Sequence, residues 1–69
     1  MVRVAIVGCG KIADQHVQAV QRIPGSSVVA VCDREPLMAG QLAERFKIRG
    51  CFADVEDMLR ATSPDVVHV

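Results

Sequence analysis

The sequence predicts an α/β fold, a doubly wound parallel sheet with helices on its faces. Three observations carry that prediction. Apolar runs at residues 2–7, 28–32 and 66–69 are separated by stretches whose apolar residues recur every three or four positions. The second run is unbroken rather than alternating, as in a strand buried on both faces of a parallel sheet. Glycine, proline and aspartate fall at the joins, and no repeat or low-complexity segment interrupts the pattern.

The first strand breaks into Gly8-Cys9-Gly10, and helical spacing begins with Lys11-Ile12-Ala13. Gly8 can adopt the positive φ of a tight turn, and Gly10, having no Cβ, lets a bound group come against the backbone. The first amides of the helix, around Lys11 and Ile12, lack intrahelical acceptors and lie at the positive end of its dipole, which suits a phosphate. The pattern is G-x-G-x-x-A, with Ala13 where close helix-to-strand packing needs a small residue. Ile12, Ala13, His16, Val17, Val20 and Ile23 then form one apolar stripe, and Pro24-Gly25 ends the helix.

The second strand, Val28 to Cys32, ends in Asp33, twenty positions after Ala13. There the dinucleotide fingerprint sets an acid on the adenosine ribose. A carboxylate can accept from both ribose hydroxyls and repels a 2′-phosphate, so NAD is the expected cofactor. NADP is not excluded, because Arg34 could turn toward that phosphate. Arg34 has two other placements, over the adenine face or in solvent. Lys11 lies near phosphate or in solvent, and solvent is favoured because amides carry most such sites. The candidate cofactor-binding residues are Gly8, Gly10, Lys11, Ile12, Asp33 and Arg34.

Pro36 suits the first turn of a second helix, with Leu37, Ala39, Leu42, Ala43 and Phe46 at roughly helical spacing. Gly40 inside it costs about 1 kcal/mol relative to alanine. Lys47 and Gly50 mark its end, and a short strand follows around Cys51 and Phe52. Asp54 can cap a third helix carrying Val55, Met58 and Leu59, which Thr62-Ser63-Pro64 terminates. Asp65-Val66-Val67-His68-Val69 begins a fourth, buried strand. Short connections between alternating elements predict the spatial order 3-2-1-4 of a Rossmann half, with its ligand crevice between strands one and four.

At 69 residues the chain forms at most one small domain of marginal stability. Eight basic and eight acidic residues are interspersed with no basic block, which argues against a nucleic-acid partner. Cys9, Cys32 and Cys51 are odd in number and form no C-x-x-C pair, so neither a disulfide framework nor a zinc site is indicated. Reduced thiols, and the lack of an apolar run long enough to span a membrane, fit a cytoplasmic protein. Cys9 lies near a helix N-terminus, an environment that can favour thiolate, but spacing offers it no partner. His16 and His68 read as packed residues rather than ligands or proton carriers.

With these residues in place, the chain resembles the N-terminal part of the glucose-fructose oxidoreductase, inositol dehydrogenase and rhizopine-catabolism (Gfo/Idh/MocA) family. The resemblance rests on Gly8-Cys9-Gly10-Lys11-Ile12-Ala13, His16, Val31-Cys32-Asp33, Met58-Leu59 and Pro64-Asp65-Val66-Val67-His68-Val69. It implies that residues 1–69 are the N-terminal part of a dinucleotide-binding domain, with further strands and a substrate domain absent. The parent would be an NAD-dependent dehydrogenase acting on a sugar-like or polyol substrate, and the 69 residues alone would be inactive. The family's catalytic Glu-Lys-Pro motif lies beyond Val69, so no catalytic residue is named. Two other functions use similar parts: a non-catalytic nucleotide-sensing module, and a methyltransferase, whose glycines usually read G-x-G-x-G where this chain has Ile12. A homo-oligomer is also expected, through edge-strand pairing along Asp65 to Val69.

Overall fold

A computed structural model describes residues 1–69. In chain order they form β1 (Val2–Val7), α1 (Ala13–Gln21), β2 (Ser26–Cys32), α2 (Pro36–Phe46), β3 (Gly50–Phe52), α3 (Val55–Thr62) and β4 (Val66–His68). The sheet runs β3-β2-β1-β4 with every pair parallel, the expected 3-2-1-4 order. Helices α1 and α2 cover one face, where Val17, Leu42 and Ala39 close over Ile6 and Val31. Helix α3 covers the other, where Met58 packs on Ala5, Ala30 and Cys32.

The pairing of β1 with β2 slips by one residue between Val4, opposite Val28, and Ala5, opposite Ala30. Val29 is therefore an extra residue, a bulge. Side chains confirm it: Val28 faces the α1/α2 layer, whereas Val29 and Ala30 both face α3. Strand β2 also starts two positions before the expected Val28. Backbone pairing of Ser26 with Val2 and Ser27 with Arg3 extends it, although neither serine is apolar.

Several boundary readings change in the structure. Helix α1 ends at Gln21, so Ile23 lies beyond it and is 54% exposed, as is most of Ile12 at the other end. Helix α2 ends on Lys47, which takes the left-handed conformation at φ 55°, and not on Gly50. The need for glycine at position 50 is different: a Cβ there would lie 2.5 Å from the Val29 carbonyl oxygen. Asp54 does cap α3, accepting the Asp57 N–H at 3.1 Å.

Strand β4 was expected to be buried and is instead exposed along its length. It hydrogen-bonds only to β1, at the edge of the sheet, leaving Val66 and Val67 partly exposed to solvent. Polar contacts hold its approach: the Asp65 N–H donates to the Arg3 carbonyl at 2.8 Å, and the Arg3 N–H donates to Asp65 Oδ2 at 2.8 Å. The His68 ring meets His16 of α1 with centroids 4.2 Å apart, but His68 is exposed and His16 only half-buried, because the strand that carries His68 lies at the open edge.

Candidate functional site

Strands β1 and β2 lie side by side, so the loops that leave them emerge together at the carboxyl end of the sheet. Gly8 has φ +93°, the positive value its turn requires, and its N–H still donates to the Cys32 carbonyl at 2.8 Å. Nothing lies within 4 Å of where a Gly10 Cβ would stand, so that backbone is open to an approaching group. The N–H groups of Gly10, Lys11 and Ile12 donate to no acceptor in the chain. Ala13 is 1% exposed against the sheet, fulfilling the close packing expected of that position.

Asp33 stands just past β2 with its carboxylate divided between two loops. Oδ1 accepts the Glu35 N–H at 2.9 Å, and Oδ2 accepts the Cys9 N–H at 2.7 Å. These two hydrogen bonds, Glu35's first, hold the carboxyl below its ordinary value of 3.8, so it is charged at neutral pH. Two of its roughly four lone-pair positions remain for further donors.

Cys9 is not a stabilised thiolate despite the helix N-terminus beside it: its thiol is pushed up to about 11. Burial is the main cause, and the Asp33 charge adds to it. The side chain is a small apolar filler beneath α1, 2% exposed.

A cleft of about 520 Å³ opens above these strand ends. Its walls are Val7, Gly8, Cys32, Asp33 and Arg34 on one side and residues 53–56 on the other. This cleft does not coincide with the expected crevice between strands one and four, since none of its lining residues comes from β4. The β3–α3 connection rises beside β2 and walls the cleft. Residues 53–56 were missed as cleft residues because Asp54 was read only as a helix cap. A charged cap two residues beyond a strand's carboxyl end was the available signal. Of the six candidates, Gly8, Asp33 and Arg34 line the cleft. Gly10, Lys11 and Ile12 stand on the adjoining loop, with the side chains of Lys11, Ile12 and Arg34 exposed and neither cation in an ion pair.

Glycines that leave backbone open, free amides at a helix start and an ionised acid at the next strand end are a donor and acceptor set that fits a dinucleotide. Known proteins agree. The chain is 40% identical over 68 residues to a D-glucoside 3-dehydrogenase of Escherichia coli (strain K12), covering 97% of this chain and 19% of that one. Its fold matches the WlbA dehydrogenase from Chromobacterium violaceum, solved with NADH and UDP-GlcNAcA, at TM-score 0.83 and 37% identity, over 96% of this chain and 19% of that one. It also matches KijD10, a 3-ketoreductase from Actinomadura kijaniata solved with TDP-benzene and NADP, at TM-score 0.83 and 28% identity, over 99% and 22%. The chain thus spans about a fifth of the length of the curated relatives it matches. Residues 2–69 match the Gfo/Idh/MocA model, the oxidoreductase family with an NAD-binding Rossmann fold, and the chain belongs to that family.

Proposed function

We propose that residues 1–69 hold the adenosine and pyrophosphate part of a nicotinamide dinucleotide, NAD in preference to NADP, for a dehydrogenase acting on a sugar-like or polyol substrate. The observation that carries this reading is the juxtaposition of three undonated amides, at Gly10, Lys11 and Ile12, with the ionised Asp33 carboxylate bonded to the same loop. The amides bind pyrophosphate oxygens, Gly8 and Gly10 keep the approach clear, and Asp33 accepts from the ribose hydroxyls. Arg34, exposed on the cleft wall, lies against the adenine. Bound NAD supplies the hydride acceptor, which no side chain can replace.

On this reading the substrate-binding domain and its acid–base groups belong to sequence outside residues 1–69, and these residues alone turn over no polyol. The dehydrogenase relatives support an enzyme rather than a sensor as the parent. Preference for NAD follows from Asp33, which would face the 2′-phosphate of NADP at close range with like charge. One lost charge-assisted hydrogen bond is about 1.5–3 kcal/mol, hence a preference of roughly ten- to hundredfold. Calorimetric titration with both cofactors, before and after Asp33→Ser, tests it. Equal binding of NAD and NADP by the unaltered protein, or an unchanged ratio after substitution, defeats the proposal.

A further inference from the structure

Asp33 joins the two loops of the candidate site through its carboxylate. Its carboxylate accepts the Cys9 N–H across a separation of 24 residues, at 2.7 Å, while its other oxygen accepts the Glu35 N–H at 2.9 Å. Cys9 is the middle residue of the Gly8-Cys9-Gly10 turn. That turn combines a glycine at φ +93° with a Gly10 whose backbone is open, and it is tied to the end of β2 by the Gly8 N–H and the Cys9 thiol, which donate to the Cys32 carbonyl at 2.8 and 3.5 Å and leave the Cys9 N–H to Asp33. The Cys9 side chain is buried, but its N–H is held by Asp33 rather than by any backbone carbonyl.

From this geometry we infer that Asp33 is a positioning residue for the phosphate loop as well as a ribose acceptor: its carboxylate fixes the Cys9 amide and so aims the free amides of Gly10, Lys11 and Ile12. The inference rests on the dinucleotide reading above. Two lone-pair positions hold the loops, and two remain for two ribose hydroxyls, so one carboxylate serves both tasks without exchanging partners. A consequence follows for sign. Removing a negative charge close to a phosphate site strengthens phosphate binding if charge alone matters. Loss of the amide anchor weakens it.

The two effects separate in a nucleotide that has no ribose hydroxyls. Affinities for ADP and 2′,3′-dideoxy-ADP should be measured for the protein and for Asp33→Ser, with the Cys9 amide followed by NMR in cysteine-labelled native protein as pH falls. The expected result is at least a fivefold loss of dideoxy-ADP affinity in Asp33→Ser, and a native Cys9 amide resonance that shifts as Asp33 takes up its proton. Unchanged or tighter dideoxy-ADP binding by a folded Asp33→Ser overturns the inference and leaves the dinucleotide reading standing. So does a Cys9 amide that does not respond to that protonation, a test that needs no variant to fold. Native protein that binds neither nucleotide overturns the dinucleotide reading and this inference with it.

Discussion

The central strands and the β4 edge are held by different physics. Ala5, Ile6, Ala30 and Val31 are all at most 1% exposed, whereas Val66 and Val67 are 48% and 39% exposed. The centre is stabilised by apolar burial on both faces, about 25 cal/mol for each Å² removed from water. The edge relies on its parallel ladder with β1, on three further hydrogen bonds beside it, among them one from Arg3 Nη2 to the Thr62 carbonyl, and on the contact of two imidazoles. The difference teaches where the fold can change. The candidate loops leave the buried centre, and the edge is expected to tolerate substitution.

Substitutions at matched apolar positions test that contrast most severely. Ile6→Ala opens a cavity between β1 and the α1/α2 layer and is expected to cost about 2–5 kcal/mol, enough to unfold a domain of this size. Val67→Ala should change urea stability by no more than about 1 kcal/mol, because half the transfer effect is already absent at an exposed site. Similar losses at both positions would erase the distinction.

Gly50→Ala probes the join between centre and edge. The added methyl would meet the Val29 carbonyl at 2.5 Å and the Ala30 Cβ at 2.9 Å, both parts of a buried strand that cannot swing aside. Overpacking of this kind costs about 1–3 kcal/mol. A denaturation midpoint equal to that of the unaltered chain would show that β3 is as adaptable as β4.

Self-association should arise at the edge and not at the centre. We expect the 69 residues to form dimers or larger species through β4, where Val66, Val67 and Val69 are exposed beside unpaired backbone. Val67→Lys should shift sedimentation toward monomer with little change in stability. A monodisperse monomer before substitution would refute the association.

Thiol chemistry sharpens the same comparison. Cys51 is exposed on β3, while Cys9 and Cys32 are buried and both thiols are raised, chiefly by burial. Alkylation in native protein at pH 8 should label Cys51 and spare the other two until denaturant is added. The smallest expected effect is on acid stability. Asp33 is lowered when folded, so its contribution is complete above the unfolded value of 3.8 and is lost as pH falls through the lower folded one. Asp33→Asn should flatten stability against pH below about pH 4, and an unaltered slope would show that its two amide bonds are weak.

Much of this was legible in the residues. Unbroken apolar runs, Pro36 at a helix start and Asp54 at a cap each report a local preference, and each element appears where that preference put it. What escaped depends on neighbours distant in sequence. Ser26 joins β2 because Val2 is opposite it, and Gly50 is required because the Val29 carbonyl stands where its Cβ would go. Ile12 and Leu37 carry helical spacing yet stay exposed, since α1 and α2 bury only narrow faces on a four-stranded sheet. At the site, Gly8 and Asp33 were readable from spacing. The Cys9 anchor was not, because a backbone amide leaves no mark in a sequence.

The extra residue at Val29 sets the phase of everything downstream. Six residues of β1 run beside seven of β2, yet Val7 and Cys32 finish opposite each other. Deleting Val29 would restore simple alternation at the start of the pair, but it would either drop Asp33 by one step of about 3.3 Å or turn its carboxylate to the opposite side. The bulge therefore works as a shim: a single residue of slack, placed mid-strand, trims the two chains to equal height so that an acid on one meets an amide on the other.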